Sequence, residues 1–505
     1  MNQLPAVTAL VSQLKTELKE GKVASAEQYH ELFHQFVGKP GTTEVKNHGE
    51  VYTPLWLVNE MLDKLPAEVW VNKDLKWFEP ACGLAPFLYM VYSRLMVGLV
   101  AVLPDEVARR KHILETMLFF NELQEKNIAL VKLLFNAGEY RLNIFEGDFH
   151  STVPANFTCD IVMANPPYSK DGAKNRGDPI WDKFVRFIVQ GTLLRNDGFA
   201  LFIHPSNWRK PTSSGTSLFQ LLRNHQIHYL NMNDAKAGKE TFGCGTTYDY
   251  YILEKKPCYT TTAVVDYQRK LHCIDLKLWS WLPNSQFESL IPLLAIGNEP
   301  KCAVMYDRTA YACDQKKRIA DVESPTHRYP VVRSIASSGV VRYMWSNCND
   351  QGMYGQSKVI LNDSLPFRFI SDCEGRYAFG ENMLAIAVES PAEADLLINV
   401  LSSSTMTDMF RACLWTNYRV NWRIFTFLKR RFWDLVVMNV SASVSDDVSA
   451  SDGTSASIDI QKLQGSIGRK GYTVDQLKQL CRDHQLPFKS SDKKQVLVDK
   501  LLRVI

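Results

Sequence analysis

The sequence predicts an α/β protein: a mostly parallel, Rossmann-like sheet, then an α+β region and a small helical module. Three features lead there. Strand-length apolar runs that end on acidic or polar residues alternate with stretches of helical periodicity from Trp77 to Lys256, the pattern of repeated βα units. Beyond Pro257 the texture changes to short mixed segments rich in aromatic and basic residues. After Asn439 it changes again, to Ser, Ala, Asp and Gly with too few apolar residues to build a core. These shifts divide the chain into a helical cover at 1–48, a sheet domain at 49–256, a second domain at 257–440, a flexible linker at 441–468 and a helical module at 469–505.

Composition agrees with that division. A chain of 505 residues exceeds what one core serves, and 46% hydrophobic with 22% charged residues is ordinary for a soluble globular protein. The net charge of +4 is only mildly basic, so affinity for nucleic acid has to come from local patches. Eleven cysteines, an odd number without a Cys-x-x-Cys pair, argue against a disulfide framework or a zinc site and suit a reducing interior. Met1 to Lys22 alternates charged with apolar residues and lacks a signal-peptide core, and the apolar stretch near Leu95 to Leu103 is too short to span a bilayer. The expectation is a soluble, intracellular protein without a metal.

Val7, Leu10, Leu14 and Leu18 recur at helical spacing, and Ser25 with Gln28 forms a capping-box pattern for a second helix. A polar segment then leads into Gly49-Glu50-Val51-Tyr52-Thr53-Pro54, with Thr53 as N-cap and Pro54 as first residue of a helix that turns Leu57, Val58, Met61, Leu62 and Leu65 inward. In Trp77-Phe78-Glu79-Pro80-Ala81-Cys82-Gly83-Leu84-Ala85-Pro86 a short strand enters a turn of small residues and leaves as a helix. Such a turn offers free backbone N–H groups to a carboxylate or a ribose. A positive φ at Ala85 would be strained.

A second strand ends at Phe119-Phe120-Asn121-Glu122, where Glu122 can take both hydroxyls of a ribose, ahead of a helix through Ile128, Leu130 and Leu134. A third, Asn143 to Phe149, carries Asp148; a helix N-cap is the competing reading for either acid. The run Asp160 to Ala164 stops at Asn165-Pro166-Pro167-Tyr168, because neither proline can donate to a sheet ladder. Asn165 and Tyr168 are thereby placed at a strand's carboxyl edge, where open α/β sheets bind ligands. Ser169 to Asp178 reads as a loop suited to ordering on a substrate, Trp181 to Leu194 as a helix, and Gly198 to His204 as the fifth strand with Pro205-Ser206-Asn207-Trp208 as its exit. Gln226 to Met232 and Tyr248 to Glu254 add two strands joined by a Gly-rich loop, Thr241 to Thr247, near the substrate.

In the second domain Phe367 to Val388 alternates as strands do, around a turn at Asp372 to Gly375, and Ala392 to Ala412 reads as one or two helices. Leu414 to Arg423 and Lys429 to Trp433 interleave basic with aromatic residues. Arg419, Arg423, Lys429 and Arg430 could neutralise phosphates beside stacking rings, or form a solvated basic face over buried tryptophans. Tyr472 to Leu502 shows two short helices, the first capped by Thr473 and Gln476, the second by Ser491 or Asp492, with Lys489, Lys493 and Lys494 available for phosphates.

Several of these motifs, in this order, resemble the S-adenosylmethionine-dependent methyltransferases that modify exocyclic amino groups, specifically the gamma class of DNA adenine-N6 methyltransferases. Gly-x-Val-Tyr-Thr-Pro, the Glu79-Pro-Ala-Cys-Gly loop, Asp148 and Asn165-Pro166-Pro167-Tyr168 carry the resemblance. Ser357 to Trp433 also resembles the C-terminal half of homologues encoded by large DNA viruses, and the last segment resembles a SAP domain. The resemblance implies S-adenosylmethionine as cofactor, held by Tyr52, Thr53, Glu79, Ala81, Gly83, Glu122, Asp148 and Asn165, with duplex DNA as partner. It implies that Asn165 and Pro166 accept the two N–H groups of a flipped adenine, that Tyr168 stacks on that base with Trp208 nearby, and that Arg419, Arg423, Lys429, Arg430, Lys493 and Lys494 hold DNA. For a viral protein, the compartment would be the cytoplasm or nucleus of the host. The chain departs from the family pattern at Ala85, Pro86 and Asp492. Another amine (cytosine N4, structured RNA or a glutamine side chain) and a non-catalytic DNA-binding scaffold are the alternatives. No nuclease constellation is present in the sequence, and a separate nuclease or replication partner is left open.

Overall fold

The computed structural model describes residues 24–36, 52–168, 180–212, 217–312, 318–350, 352–415, 419–437, 458–459, 472–483, 494 and 497. The chain forms two compact units: Met1–Trp208 with Leu218–Trp279 and Ser455–Ile505, and Arg209–Ser217 with Ser280–Thr454.

The first unit is a mixed α/β sheet. Strands β1 (Trp77–Glu79), β2 (Leu118–Glu122), β3 (Asn143–Glu146), β4 (Cys159–Ala164) and β5 (Leu194–Pro205) run parallel. β6 (His225–Asn233) and β7 (Tyr248–Pro257) follow, with β7 inserted antiparallel between β5 and β6. From β6 to the β3 edge the spatial order is β6-β7-β5-β4-β1-β2-β3. β4 reads Ile161-Val162-Met163-Ala164 with every residue buried, as a strand covered on both faces requires. β1 pairs β4 on one side and β2 on the other, so the chain order reverses there. A crevice outside the carboxyl ends of β1 and β4 follows from that reversal.

The sheet does not end near Lys256 as expected. β8 (Thr262–Val265) pairs parallel to β6, β9 (Lys270–Ile274) pairs antiparallel to β8, and Ile458–Asp459 pairs with β9 at the edge. Both added strands are short, which is why the sequence pattern hid them.

Helix α1 (Ala26–Phe36) carries the anticipated capping box: Gln28 N donates to Ser25 Oγ and Ser25 N to Gln28 Oε1. Helix α2 (Leu55–Leu62) buries Leu57, Val58, Met61 and Leu62, but its cap residue is Pro54, and the hydroxyl of Thr53 does not cap it. α3 (Pro86–Gly98) follows β1, α4 (Glu125–Leu134) follows β2, and α5 (Ile180–Gln190) precedes β5. The loop expected at Ser169 to Asp178 and the helix through Val7 to Leu18 lie outside the described residues.

The second unit holds two four-stranded sheets. In chain order its strands are β10 (Val304–Met305), β11 (Ile319–Ala320), β12 (Tyr329–Ile335), β13 (Val341–Ser346), β14 (Lys358–Asn362), β15 (Phe369–Asp372), β16 (Ala378–Phe379) and β17 (Met383–Ala387). They assemble as β10-β17-β14-β15 and β11-β13-β12-β16. Residues 391–412 form two helices, α6 (Pro391–Ser402) and α7 (Ser404–Ala412), broken where Ser403 turns its hydroxyl to the N–H of Met406. Helix α8 (Val474–Asp483) belongs to the first unit and is capped reciprocally by Thr473 and Gln476. The remainder of the expected SAP-like module, Lys489, Ser491, Asp492 and Lys493 included, lies outside the described residues. Among the described residues no helix is long and apolar enough to cross a membrane.

Candidate active site

The loop from β1 to α3 is tight: Ala85 N donates to Cys82 O at 2.7 Å, and both Gly83 and Ala85 adopt φ of 56°. Gly83 accommodates this freely. Ala85, fully buried, bears the anticipated strain of a left-handed conformation, about 1–2 kcal/mol. Helix α1 braces the loop from outside. Tyr29 donates its hydroxyl to Leu84 O at 2.8 Å and stacks on Tyr89 of α3, with 3.8 Å between ring centroids. The edge of Phe33 meets Tyr52, whose ring would stand 3.3 Å from a Cβ added at Gly83. Tyr52 therefore covers Gly83 at van der Waals distance.

Three acids stand at the carboxyl ends of β1, β2 and β3. Glu79 accepts from Leu88 N at 3.2 Å, within the first turn of α3, and burial pushes its carboxyl well above the ordinary carboxylate range. Glu122 is buried and accepts from Gly83 N at 2.7 Å and Gln124 N at 2.8 Å, so one carboxylate ties the β1 loop to the start of α4. Asp148 is exposed and caps the turn Phe149–Thr152 through His150 N, the competing reading for that residue. Asn121, which pattern reasoning passed over, is the hub behind them. Its side-chain amide donates to Phe145 O, Gly147 O and Thr152 Oγ1, while its backbone carbonyl accepts from Cys82 N. An Asn-Glu pair closing an apolar strand was the available signal.

At the end of β4, Asn165 Nδ2 donates to Thr53 Oγ1 at 3.1 Å across 112 residues of sequence. Thr53 is 1% exposed, so the bond is shielded from water. Pro166 is buried, and Pro167 and Tyr168 are half-buried. The Tyr168 hydroxyl is itself buried without a hydrogen-bond partner among the described residues, and burial, then the neighbouring Cys244 and Tyr248, raises its pKa. The Gly-rich loop thus lies beside Tyr168. The exit of β5 is fastened to the same loop, since Ser206 N donates to Thr247 O at 3.2 Å and Ser206 Oγ to Thr247 Oγ1 at 2.6 Å. Asn207 follows with a buried Oδ1 that meets no partner among the described residues; the strand exit gave no sign of it.

Other expected contacts are placed differently. Trp208 is core: its indole N–H donates to Asp249 at 2.6 Å and its ring packs on Tyr251 and Phe219, so it cannot lie against a base. Apolar surface and a buried acceptor hold it inward. In the second unit Lys429 pairs with Glu299 and Arg430 with Glu389 at the solvent-exposed surface, so each of these cations has an acid beside it. Arg419 and Arg423 remain at the surface or half-buried. Trp415 and Trp433 are buried, in keeping with a basic face over core tryptophans. Lys494 is half-buried, Lys493 is outside the described residues, and Ala81 is half-buried on the loop.

Residues 25–203 match the family described as N-6 DNA Methylase. That segment holds the β1 loop, the three acids and the Asn165–Thr53 bond, but not the exit of β5 or the loop from Thr241 to Thr247. A Mycoplasma pneumoniae protein named as an uncharacterized adenine-specific methylase is 45% identical over 73 residues, 14% of this chain and 17% of that relative. Among solved structures, the Type IIL restriction-modification enzyme MmeI in complex with DNA shares 12% identity over 95% of this chain and 80% of its own, with a TM-score of 0.47. A type I restriction-modification methyltransferase subunit from Streptococcus thermophilus shares 17% over 47% of this chain and 50% of its own, with a TM-score of 0.32. The chain thus spans about a sixth of the curated relative it matches and half of that subunit.

Proposed function

We propose that the protein binds S-adenosylmethionine at the carboxyl ends of β1 and β2 and methylates N6 of adenine in DNA, as an enzyme of the restriction-modification kind. The observation that carries this reading is the Asn165–Thr53 hydrogen bond. It joins the strand-end Asn-Pro-Pro-Tyr turn to the Tyr-Thr-Pro segment that covers the β1 loop. The match of residues 25–203 to the N-6 DNA methylase family and the Mycoplasma relative's name support adenine as target.

The residues present fit the cofactor. The Gly83 turn, covered by Tyr52 and tied down by Glu122, suits a ligand carrying a ribose and an amino acid; Glu79, Ala81 and Asp148 complete the ring of candidates, while Thr53 and Asn165 border it on the side of the reacting methyl. Bound there, S-adenosylmethionine supplies a sulfonium methyl that an amine nitrogen can take directly, with cleavage of the carbon–sulfur bond and no covalent enzyme intermediate. An exocyclic amine is a poor nucleophile because its lone pair is delocalised into the ring. By engaging Thr53 through Nδ2, Asn165 has its amide oriented with Oδ1 as an acceptor for one amine N–H, and the Pro166 carbonyl takes the other. Two fixed acceptors draw the lone pair toward sp³ character as charge develops, where preorganisation raises rate. Tyr168 stacks on the extruded base. The helical module around α8 is a further DNA contact in this reading, and the second unit recognises the sequence.

Incubation with tritiated S-adenosylmethionine and, separately, duplex DNA, single-stranded DNA and RNA, followed by nucleoside chromatography, tests the proposal. Label in N6-methyladenine from DNA is expected. Asn165→Ala should bind the cofactor yet nearly abolish transfer, and near-normal turnover by that variant would refute the mechanism.

A further inference from the structure

In the second unit, residues distant in sequence meet in one small cluster. The ring of Tyr306, just after β10, lies parallel to the indole of Trp422, with 4.6 Å between centroids and 20° between planes. The Arg308 guanidinium sits over Tyr306 at 5.7 Å and also donates to its hydroxyl, and that of Arg423 sits over Trp422 at 4.8 Å. Arg419, 54% exposed, reaches Asp363, 9% exposed, at 3.5 Å. Backbone geometry holds these two together: Val420 N donates to Asp363 O at 2.7 Å, and Arg419 bridges Ser364. Burial raises the Asp363 carboxyl, and both Arg419 and Arg308 pull it back, so Arg308 is within electrostatic reach of the same acid.

The nearby Lys429-Arg430-Arg431 run differs in charge balance, since each of its cations has an acid of its own. Lys429, Arg430 and Arg431 face Glu299, Glu389 and Glu393 respectively. Among the described residues no carboxylate forms a direct ion pair with Arg308 or Arg423. The three guanidinium groups outnumber the neighbouring carboxylates, Asp363 and Asp307, the latter turned to the N–H groups of Thr309 and Ala310. Aromatic rings order two of the guanidinium groups, and with Arg308 Nε engaged by the Tyr306 hydroxyl it is the Nη groups that are left for a ligand. A patch meant only to attract phosphate gains nothing from a buried carboxylate, which weakens its field. A carboxylate behind an exposed arginine does something else: it biases the direction of the guanidinium, here through one Nη1–Oδ2 contact at 3.5 Å.

We propose that this cluster is the second unit's reading head for duplex DNA, in which Arg419, aimed by Asp363, contacts a guanine edge while Arg308 and Arg423 hold flanking phosphates. This rests on the function proposed above and names where that function gets its sequence preference. Arginine bidentate to guanine is the commonest base-specific contact, whereas phosphate contacts fix register without reading sequence.

The test uses the full chain with a random-sequence duplex library. Methylated sites are read by sequencing, and duplex affinity is measured against salt. Arg308→Ala and Arg423→Ala should weaken binding to all sequences and lower the slope of log affinity against log salt by about 1 each. Arg419→Lys keeps the charge but loses the fork, so the slope should hold while preference at one base pair falls about 5- to 150-fold. Asp363→Asn makes the patch more positive; it should tighten non-specific binding yet relax the same base pair. Arg411→Ala removes an exposed arginine paired with Asp408 and should change neither. An unaltered site preference in Arg419→Lys, or unaltered slopes in the two alanine variants, with DNA methylation intact, overturns this inference alone. A parent that binds duplex DNA but methylates none of it, with the variants still weakening binding, overturns the catalytic reading and spares the cluster. A parent that does not bind duplex DNA overturns both.

Discussion

Replacing Thr53 by valine probes the proposed catalytic geometry most directly. Thr53 is 1% exposed, and its Oγ1 receives Asn165 Nδ2 at 3.1 Å. Valine preserves the shape of the side chain and removes the acceptor, leaving a buried amide N–H without its bond at a cost of about 1–3 kcal/mol. The amide can lower that cost only by rotating, which moves Oδ1 away from the position where it accepts from a substrate amine. If the loss falls on the reacting geometry, single-turnover transfer should slow about 5- to 150-fold, since each 1.36 kcal/mol is a factor of ten. The assay is rapid-quench transfer of tritiated methyl to a duplex carrying a mapped site, beside calorimetric titration of S-adenosylmethionine. Cofactor affinity should change little, and Thr53→Ser should restore the rate. Transfer by Thr53→Val at the parent rate would refute the reasoning, and so would a loss confined to cofactor binding.

Other perturbations follow from the same structure. Gly83→Ala places a Cβ at φ of 56° and 3.3 Å from Tyr52, costing about 1–2 kcal/mol of backbone strain and displacing the covering ring, so calorimetry should show weakened S-adenosylmethionine binding. The folded-state pKa of Glu79 is raised, so its contribution to stability is full below the unfolded carboxylate pKa and is lost as pH rises through the folded value. Glu79→Gln, which does not titrate but can still accept from Leu88 N, should therefore gain in Tm relative to the parent as pH is raised from acid to neutral. In the second unit the Lys358–Asp372 pair is wholly buried at 2.7 Å, and Asp372 also accepts from Arg376 N and Tyr377 N. Asp372→Ala should destabilise that unit by about 3–5 kcal/mol in denaturant titrations, with early hydrogen exchange in β14 and β15.

Much of the architecture was legible because it is encoded locally. The end of β4 is set by two prolines, the start of α1 by a serine and a glutamine three residues apart, and the buried face of α2 by the spacing of Leu57, Val58, Met61 and Leu62. The left-handed Ala85 was likewise foreseeable from the missing glycine. Other features are not local properties. Thr53 carries the composition of a helix cap, yet its hydroxyl goes to Asn165, because the competing partner arrives from another strand. Trp208 sits at a strand exit in either reading; only Asp249 and the surrounding rings decide that it turns inward. The spacing of Lys429 and Arg430 shows a basic run, but not that Glu299 and Glu389 stand beside it at the surface.

The sequence by itself determined which residues stand at strand ends, turns and caps and the order in which strands present them, since these follow from neighbouring side chains. Tertiary structure alone decided which of those residues meet. The Asn121–Glu122 hub, the Asn165–Thr53 bond and the Arg308–Tyr306–Trp422–Arg423 cluster each join distant segments, and their partners become definite only when the core fixes the backbones that carry them.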